Sequence, residues 1–137
     1  MKFQIITPER TVSSEEITQV TVPTADGEIT VLNNHIPLVS VMKPGELRYL
    51  KNGEESSLAV SGGFVEVKND GSVVILADTA EHAHEIDLTQ ATEAHDRAVK
   101  LMAEARHGED VDYTALQTKI EKELSRLRVG NKYRKLP

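Results

Sequence analysis

Apolar and polar residues alternate along the first eighty positions. Residues 17–22 read Ile-Thr-Gln-Val-Thr-Val, with β-branched side chains dominant. A period of two with one apolar face predicts a half-buried strand. Segments of this kind recur at Phe3–Thr7, Thr11–Val12, Ile17–Val22, Glu28–Leu32, Leu38–Met42, Glu46–Lys51, Ser56–Ser61, Phe64–Lys68 and Val73–Ala77. Turn signals separate them: Ala25-Asp26-Gly27, Lys43-Pro44-Gly45, Asn52-Gly53, Gly62-Gly63 and Asn69-Asp70-Gly71. Gly and Asn tolerate positive φ, and Pro pre-sets the first turn position. Asn52-Gly53 and Asp70-Gly71 suit tight hairpins. Gly62-Gly63 predicts a bulge or a close approach of backbone between strands. Roughly eight to ten short strands at this spacing predict a β-sandwich or barrel.

After Glu85 the period lengthens. Leu88, Ala91, His95, Ala98, Val99, Met102 and Ala105 follow helical spacing, as do Tyr113, Leu116, Ile120, Leu124 and Leu127. Gly108 is placed to end the first helix, while Asp87 and Asp112 are placed to cap the two helix starts. Ile86 with Ala91, and Val111 with Leu116, occupy the positions of hydrophobic staples. The prediction is an all-β N-terminal sandwich of about ten strands over 1–85, then an antiparallel α-helical hairpin over 86–137. The first helix offers mostly Ala to its neighbours, which buries little area. The hairpin should therefore dock by only a few kcal/mol, a scale at which two packings compete.

Charge divides the chain in the same place. Residues 1–85 hold 6 basic and 13 acidic side chains, residues 86–137 hold 10 and 9, and residues 119–137 alone hold 7 and 2. An acidic body with a basic tail predicts different partners at the two ends. The body would repel phosphate, so no nucleic-acid partner is expected. The absence of Cys excludes disulfides, thiolate ligands and a thiol nucleophile, and fits a reducing compartment. The start, MKFQIITPER, is expected to be neither a secretory signal nor a transit peptide. No apolar run approaches the roughly 20 residues of a membrane span, so no direct membrane insertion is expected.

Candidate chemistry is sparse. His82 and His84 lie between glutamates, but a zinc site wants three or four converging ligands. The stretch Glu81–Glu85 therefore reads as a solvated connector, with no metal. His35 reads as a loop or interface residue, and His95 as a packed histidine on the apolar stripe. No nucleophile, base and stabiliser can be assembled, so no catalytic residue is assigned and the chain is expected not to be an enzyme. Lys119, Lys122 and Arg126 share a helix face largely separate from the Leu116–Leu127 stripe. That face reads either as ordinary solvated surface or as a dock for an acidic protein surface.

The runs TPER (7–10), VTVPTADGEI (20–29), HIPLVSVMKPGELR (35–48), LAVSGGFVEV (58–67) and VVILADTAE (73–81) stand in a fixed order, followed by GEDVDY and LSRLRV. In that order and spacing the chain resembles, over its whole length, the epsilon-subunit family of bacterial F-type ATP synthases. The resemblance implies a ten-stranded sandwich and two helices, in a rotor subunit at the cytoplasmic face of the plasma membrane. It implies partners: the gamma subunit and the c-ring for the sandwich, and the beta and alpha subunits for an extended, inhibitory hairpin. The ring-facing residues it implies are Glu28, Asn33, Asn34 and His35. Where the family often has Gly in that loop, Asn34 is expected to take the left-handed turn. The residues implied to meet an acidic segment of beta are Lys122, Arg126, Arg128 and Lys132.

Some members of that family bind ATP between hairpin and sandwich through Ile/Leu-Asp-x-x-Arg-Ala. Here the segment reads Ile86-Asp87-Leu88-Thr89-Gln90-Ala91. Arg126 stands where those members are basic, and Lys122 where another Arg is common. Gln90 replaces the motif's Arg and loses a charge-assisted bond worth roughly 1.5–3 kcal/mol. That weakens binding about 10- to 150-fold. No cofactor is obligatory, and ATP is left as a weak regulatory ligand. The alternative reading is a nucleotide-sensing module that binds ATP between hairpin and sandwich.

Overall fold

A computed structural model describes residues 1–104 and 112–135. The strands are β1 (Lys2–Ile6), β2 (Thr11–Glu16), β3 (Gln19–Thr24), β4 (Gly27–Leu32), β5 (Leu38–Val41), β6 (Gly45–Lys51), β7 (Glu54–Val67) and β8 (Val73–His82). A single 3-10 turn, Ala83–Glu85, leads to helices α1 (Leu88–Glu104) and α2 (Tyr113–Lys135).

Two long strands build the sandwich. β7 pairs antiparallel with β8 from Leu58↔His82 to Val67↔Val73. The first arm of β7 pairs with β6, through Gly45↔Val60 to Lys51↔Glu54, while its last four residues pair with β5. β8 in turn carries β1 in parallel along Phe3↔Val73 to Ile6↔Leu76, and β2 follows β1. One layer is therefore β2-β1-β8-β7-β5, and the other β8-β7-β6-β3-β4. Eight strands supply ten arms because β7 and β8 serve both layers.

The two segments predicted as Ser56–Ser61 and Phe64–Lys68 are thus one strand. Gly62-Gly63 does not interrupt it, and no residue is inserted: Ser61↔Thr79 and Gly63↔Ala77 keep one register. The close approach accounts for both glycines. Gly63 has φ +103, and a Cβ there would fall on the carbonyl oxygen of Leu76. Gly62 has φ +59 and sits under the Asp78 side chain. At this corner the inward positions change parity. Leu58 and Val60 point into the core before it, and Val65 and Val67 after it.

The core is aliphatic, as scarce aromatics require. Ile5, Val20, Val22, Val31, Leu47, Leu58, Val60, Val65 and Ile75 are fully buried, and the Phe3 and Tyr49 rings meet at 5.1 Å. The tight turns form as their residues demand. Asn52 and Gly53 both have positive φ, as a primed hairpin turn needs, and Asn34 turns left-handed at φ +67.

Both predicted caps are present. Asp87 Oδ1 accepts from the Gln90 amide at 3.0 Å, and Asp112 Oδ1 from the Ala115 amide at 3.0 Å. Gly108 and Val111, assigned to a helix end and a staple, lie outside the described residues. Ala91, Ala94 and Ala98 form the buried face of α1, which packs chiefly on α2. α2 alone lies broadly on the sandwich, against β6, β7 and the 3-10 turn.

Candidate functional site

The surface where α2 meets the sandwich gathers a connected set of charged side chains. Its apolar part is small: Ala59 from β7, Ala83 and Ile86 from the connector, Val129 from α2, and Leu88 at the margin. Gly130 lets the helix come close, since a Cβ there would stand 2.6 Å from Leu88 Cδ2 and 3.2 Å from Ile86 Cγ2. The connector is therefore solvated only in part, with His84 and Glu85 exposed. β8 runs on through His82, which pairs with Leu58, and Ala83 and Ile86 are buried. The rings of His82 and His84 lie 5.5 Å apart, with Tyr133 at 6.2 Å from His84. Burial, with His84 beside it, holds the His82 imidazole below its ordinary pKa against the pull of Glu85.

The face that α2 turns to the sandwich is not the predicted stripe. Leu124 and Tyr113 are exposed, while Glu123, Ser125 and Arg126 are buried. Arg126, read as part of a solvated or partner-facing basic face, is 9% exposed. Its Nε donates to Glu81 Oε2 at 2.7 Å and its Nη2 to Glu81 Oε1 at 3.2 Å. Its Nη1 donates to Glu123 Oε2 at 2.8 Å. Burial opposes the charge on Arg126, but the bonds to Glu81 and Glu123 outweigh it and raise its pKa.

Two further basic side chains fasten the same helix. Lys132 Nζ lies 3.1 Å from both Glu46 oxygens, and Arg134 Nη2 donates to the Ile86 carbonyl at 3.0 Å. Glu46 also accepts from Ser57 at 2.8 Å and from Arg48 at 3.0 Å. Burial opposes ionisation of Glu46, yet Ser57, Arg48 and Lys132 outweigh it and hold its carboxyl below the usual range. Arg48 reaches on to Glu28 at 3.2 Å.

Of the residues assigned to a nucleotide, the structure brings three together. Gln90, Lys122 and Arg126 line one cleft of about 350 Å³, with Arg97, Lys119, Glu81 and Glu123. The other three serve the fold: Ile86 and Ala91 are buried, and Asp87 caps α1. Of the residues assigned to an acidic partner, Arg126 and Lys132 are engaged within the chain, Lys122 lines the cleft, and Arg128 is exposed. Of those assigned to a ring, Glu28 stands at one end of β4 and Asn33, Asn34 and His35 beyond the other. Five residue steps separate Glu28 from Asn33, about 17 Å along the strand. Leu32 and Ile36 in that loop are 54% and 75% exposed. His95, predicted to be packed, is half-buried with Nδ1 3.1 Å from Asp96.

Sequence reasoning missed Glu81, Glu46, Glu123 and Arg97. The one local signal was Glu123, three residues before Arg126, where a helix makes them neighbours. Among the described residues no group of three or more metal-ligating side chains converges, and no helix is long and apolar enough to cross a membrane.

A second surface has no cover among the described residues. On the outer face of the β5-bearing layer, the register aligns Val41, Phe64, Leu76 and Ile6 in one row across four strands. Val41, Phe64 and Leu76 are each about half exposed, and Val39 beside them is 68% exposed. Apolar patches of this kind mark interaction surfaces. The hairpin lies on the other layer.

The family described as ATP synthase, Delta/Epsilon chain, beta-sandwich domain matches residues 1–83. An ATP synthase epsilon chain of Dehalococcoides mccartyi is 42% identical over 137 residues, all of this chain and 96% of its own length. Those of Herpetosiphon aurantiacus and Desulforamulus reducens are 45% identical over 111 residues and 42% over 129, covering 81% and 94% of this chain and 81% and 96% of their own lengths. Among solved structures, a chain of the Euglena gracilis mitochondrial ATP synthase OSCP/F1/c-ring assembly aligns with TM-score 0.71 at 23% identity, over 92% of this chain and 77% of that one. A chain of the Tetrahymena thermophila mitochondrial ATP synthase central stalk/c-ring aligns with TM-score 0.60 at 19% identity, over 97% and 95%. At these identities the two structures speak for the fold.

Proposed function

Because the chain belongs to the epsilon-chain family of ATP synthase, a non-catalytic subunit, we propose that it is a rotor part. In this reading the sandwich grips the gamma subunit and rests on the c-ring, peripheral to the cytoplasmic face of the bacterial plasma membrane. The hairpin restrains ATP hydrolysis when it leaves the sandwich and reaches toward beta and alpha. The observation that carries the reading is the uncovered row Val41-Phe64-Leu76, because it leaves a broad apolar face for a permanent partner. The ring contact is assigned to Glu28 and to Asn33, Asn34 and His35, which must span the length of β4.

Phe64→Asp tests the grip. Its side chain is half exposed, so the sandwich should keep its melting temperature. A charge at the centre of the row should weaken capture of gamma by roughly 30-fold or more. Unchanged capture, or a chain that never associates with gamma, would reject this reading.

The nucleotide-sensing reading has one observation in its favour, the cleft holding Gln90, Arg97, Lys119, Lys122 and Arg126. Two features make ATP a weak ligand there. Gln90 lacks a charge, and Arg126 already spends its fork on Glu81 and Glu123. Gln90→Arg should therefore tighten Mg-ATP binding about 10- to 150-fold by titration calorimetry. Micromolar binding by the wild type would favour sensing instead.

A further inference from the structure

We propose that Glu81 is an internal stand-in for an acidic partner: it holds Arg126 and so keeps the basic helix docked until a competing carboxylate surface displaces it. The partner chemistry rests on the rotor reading above. The latch itself rests on geometry within this chain.

The two carboxylates on Arg126 differ in what happens when the hairpin moves. Glu123 lies three residues away on the same helix, so that pair travels with α2. Glu81 belongs to β8 and lies 45 residues away in sequence, so its bidentate bond must break. Opening α2 therefore exchanges one bond set on Arg126 and leaves the other intact. The freed Nε and Nη2 form the planar edge that matches a carboxylate. An acidic surface would thus find Arg126 already partnered by Glu123 and lacking only what Glu81 had supplied.

The surroundings make Glu81 decisive. Arg97, Lys119, Lys122 and Arg126 line the cleft, against only Glu81 and Glu123. Neutralising Glu81 leaves four cations facing one carboxylate, so α2 is repelled from Arg97 on α1 as well as unbonded from the sheet. The apolar contact beneath is one Ile, one Val and two Ala, with Leu88 at its edge. The second clasp, Lys132 on Glu46, has its lysine about half exposed, where solvent screens it.

Glu81→Gln keeps the shape and removes the charge. In the full chain alone, amides of 116–130 should exchange at least about tenfold faster, with the amides of Val20, Leu47 and Ile75 unchanged. Glu81→Asp, which keeps the charge on a shorter arm, should fall between. Arg126→Lys, which keeps the charge but loses the two-pronged bond to Glu81, should also fall between. Unchanged exchange in Glu81→Gln, or exchange in Glu81→Asp as fast as in Glu81→Gln, overturns the latch. In the assembled ATP synthase, Glu81→Gln should lower ATP hydrolysis severalfold. Fast exchange with unaltered hydrolysis would leave the latch standing and overturn the inhibitory role of the hairpin.

Discussion

Gly63→Ala should abolish the folded sandwich or lower its melting temperature by about 15 °C or more. Gly63 has φ +103, which L side chains rarely adopt, and its Cβ would fall on the Leu76 carbonyl oxygen. The obstacle is backbone of the paired strand, so no side chain can rotate away. Relief requires β7 and β8 to separate where Gly63 faces Ala77, at the corner that joins the layers. Strain plus lost pairing puts the cost at about 4 kcal/mol or more, among the largest a single substitution exacts. Gly53→Ala is the control. Gly53 has φ +80 but nothing within 4 Å of a Cβ, so only the conformational cost of about 1 kcal/mol applies. Equal melting of the two variants would show that conformation, not the approach of Leu76, sets the requirement for glycine.

Arg126→Met should detach the hairpin and leave the sandwich standing. The methionine keeps much of the volume but strips Glu123, 3% exposed, and Glu81 of the guanidinium that bonds them both. Removing one partner of a buried pair costs about 3–5 kcal/mol. The small apolar contact under α2 cannot offset that. Hydrogen exchange should show the amides of 116–130 losing protection, while the sandwich unfolds at its original temperature. Leu124→Ala is the contrasting variant. Leu124 is 39% exposed, so its loss should shift hairpin protection by no more than about 0.5 kcal/mol. The apolar stripe would predict the opposite ranking, and the measurement decides between the two.

That contrast marks where the sequence was legible. Features fixed within a few residues were readable: the Asn52-Gly53 turn, the left-handed Asn34, and the caps at Asp87 and Asp112. The alternation also marked the strands that carry the core. Features that depend on distant partners were not readable. Gly62-Gly63 reads correctly as a close approach of backbone, but only the pairs Ser61↔Thr79 and Gly63↔Ala77 show that one strand continues through it. His82 reads as linker because its strand partner, Leu58, lies 24 residues earlier. The docking face of α2 was misassigned for the same reason. Leucine spacing announces burial locally, whereas the burial of Arg126 needs a glutamate on another element. Leu124 and Tyr113 are left exposed because α2 turns Glu123 and Arg126, not its apolar stripe, toward the sandwich.

The double membership of β7 and β8 also governs how load crosses the molecule. In a sandwich of separate sheets, a push on one outer face reaches the other through side-chain packing, which can slide. Here Phe64, on the uncovered face, and Ala59, under α2, sit on one strand five residues apart. Leu76 and Glu81 repeat that arrangement on the neighbouring strand, hydrogen-bonded to it on both sides of the corner. Force applied at the apolar row is carried to the floor of the hairpin by covalent backbone over at most about 17 Å. The two faces are joined by continuous paired backbone as well as by side-chain packing.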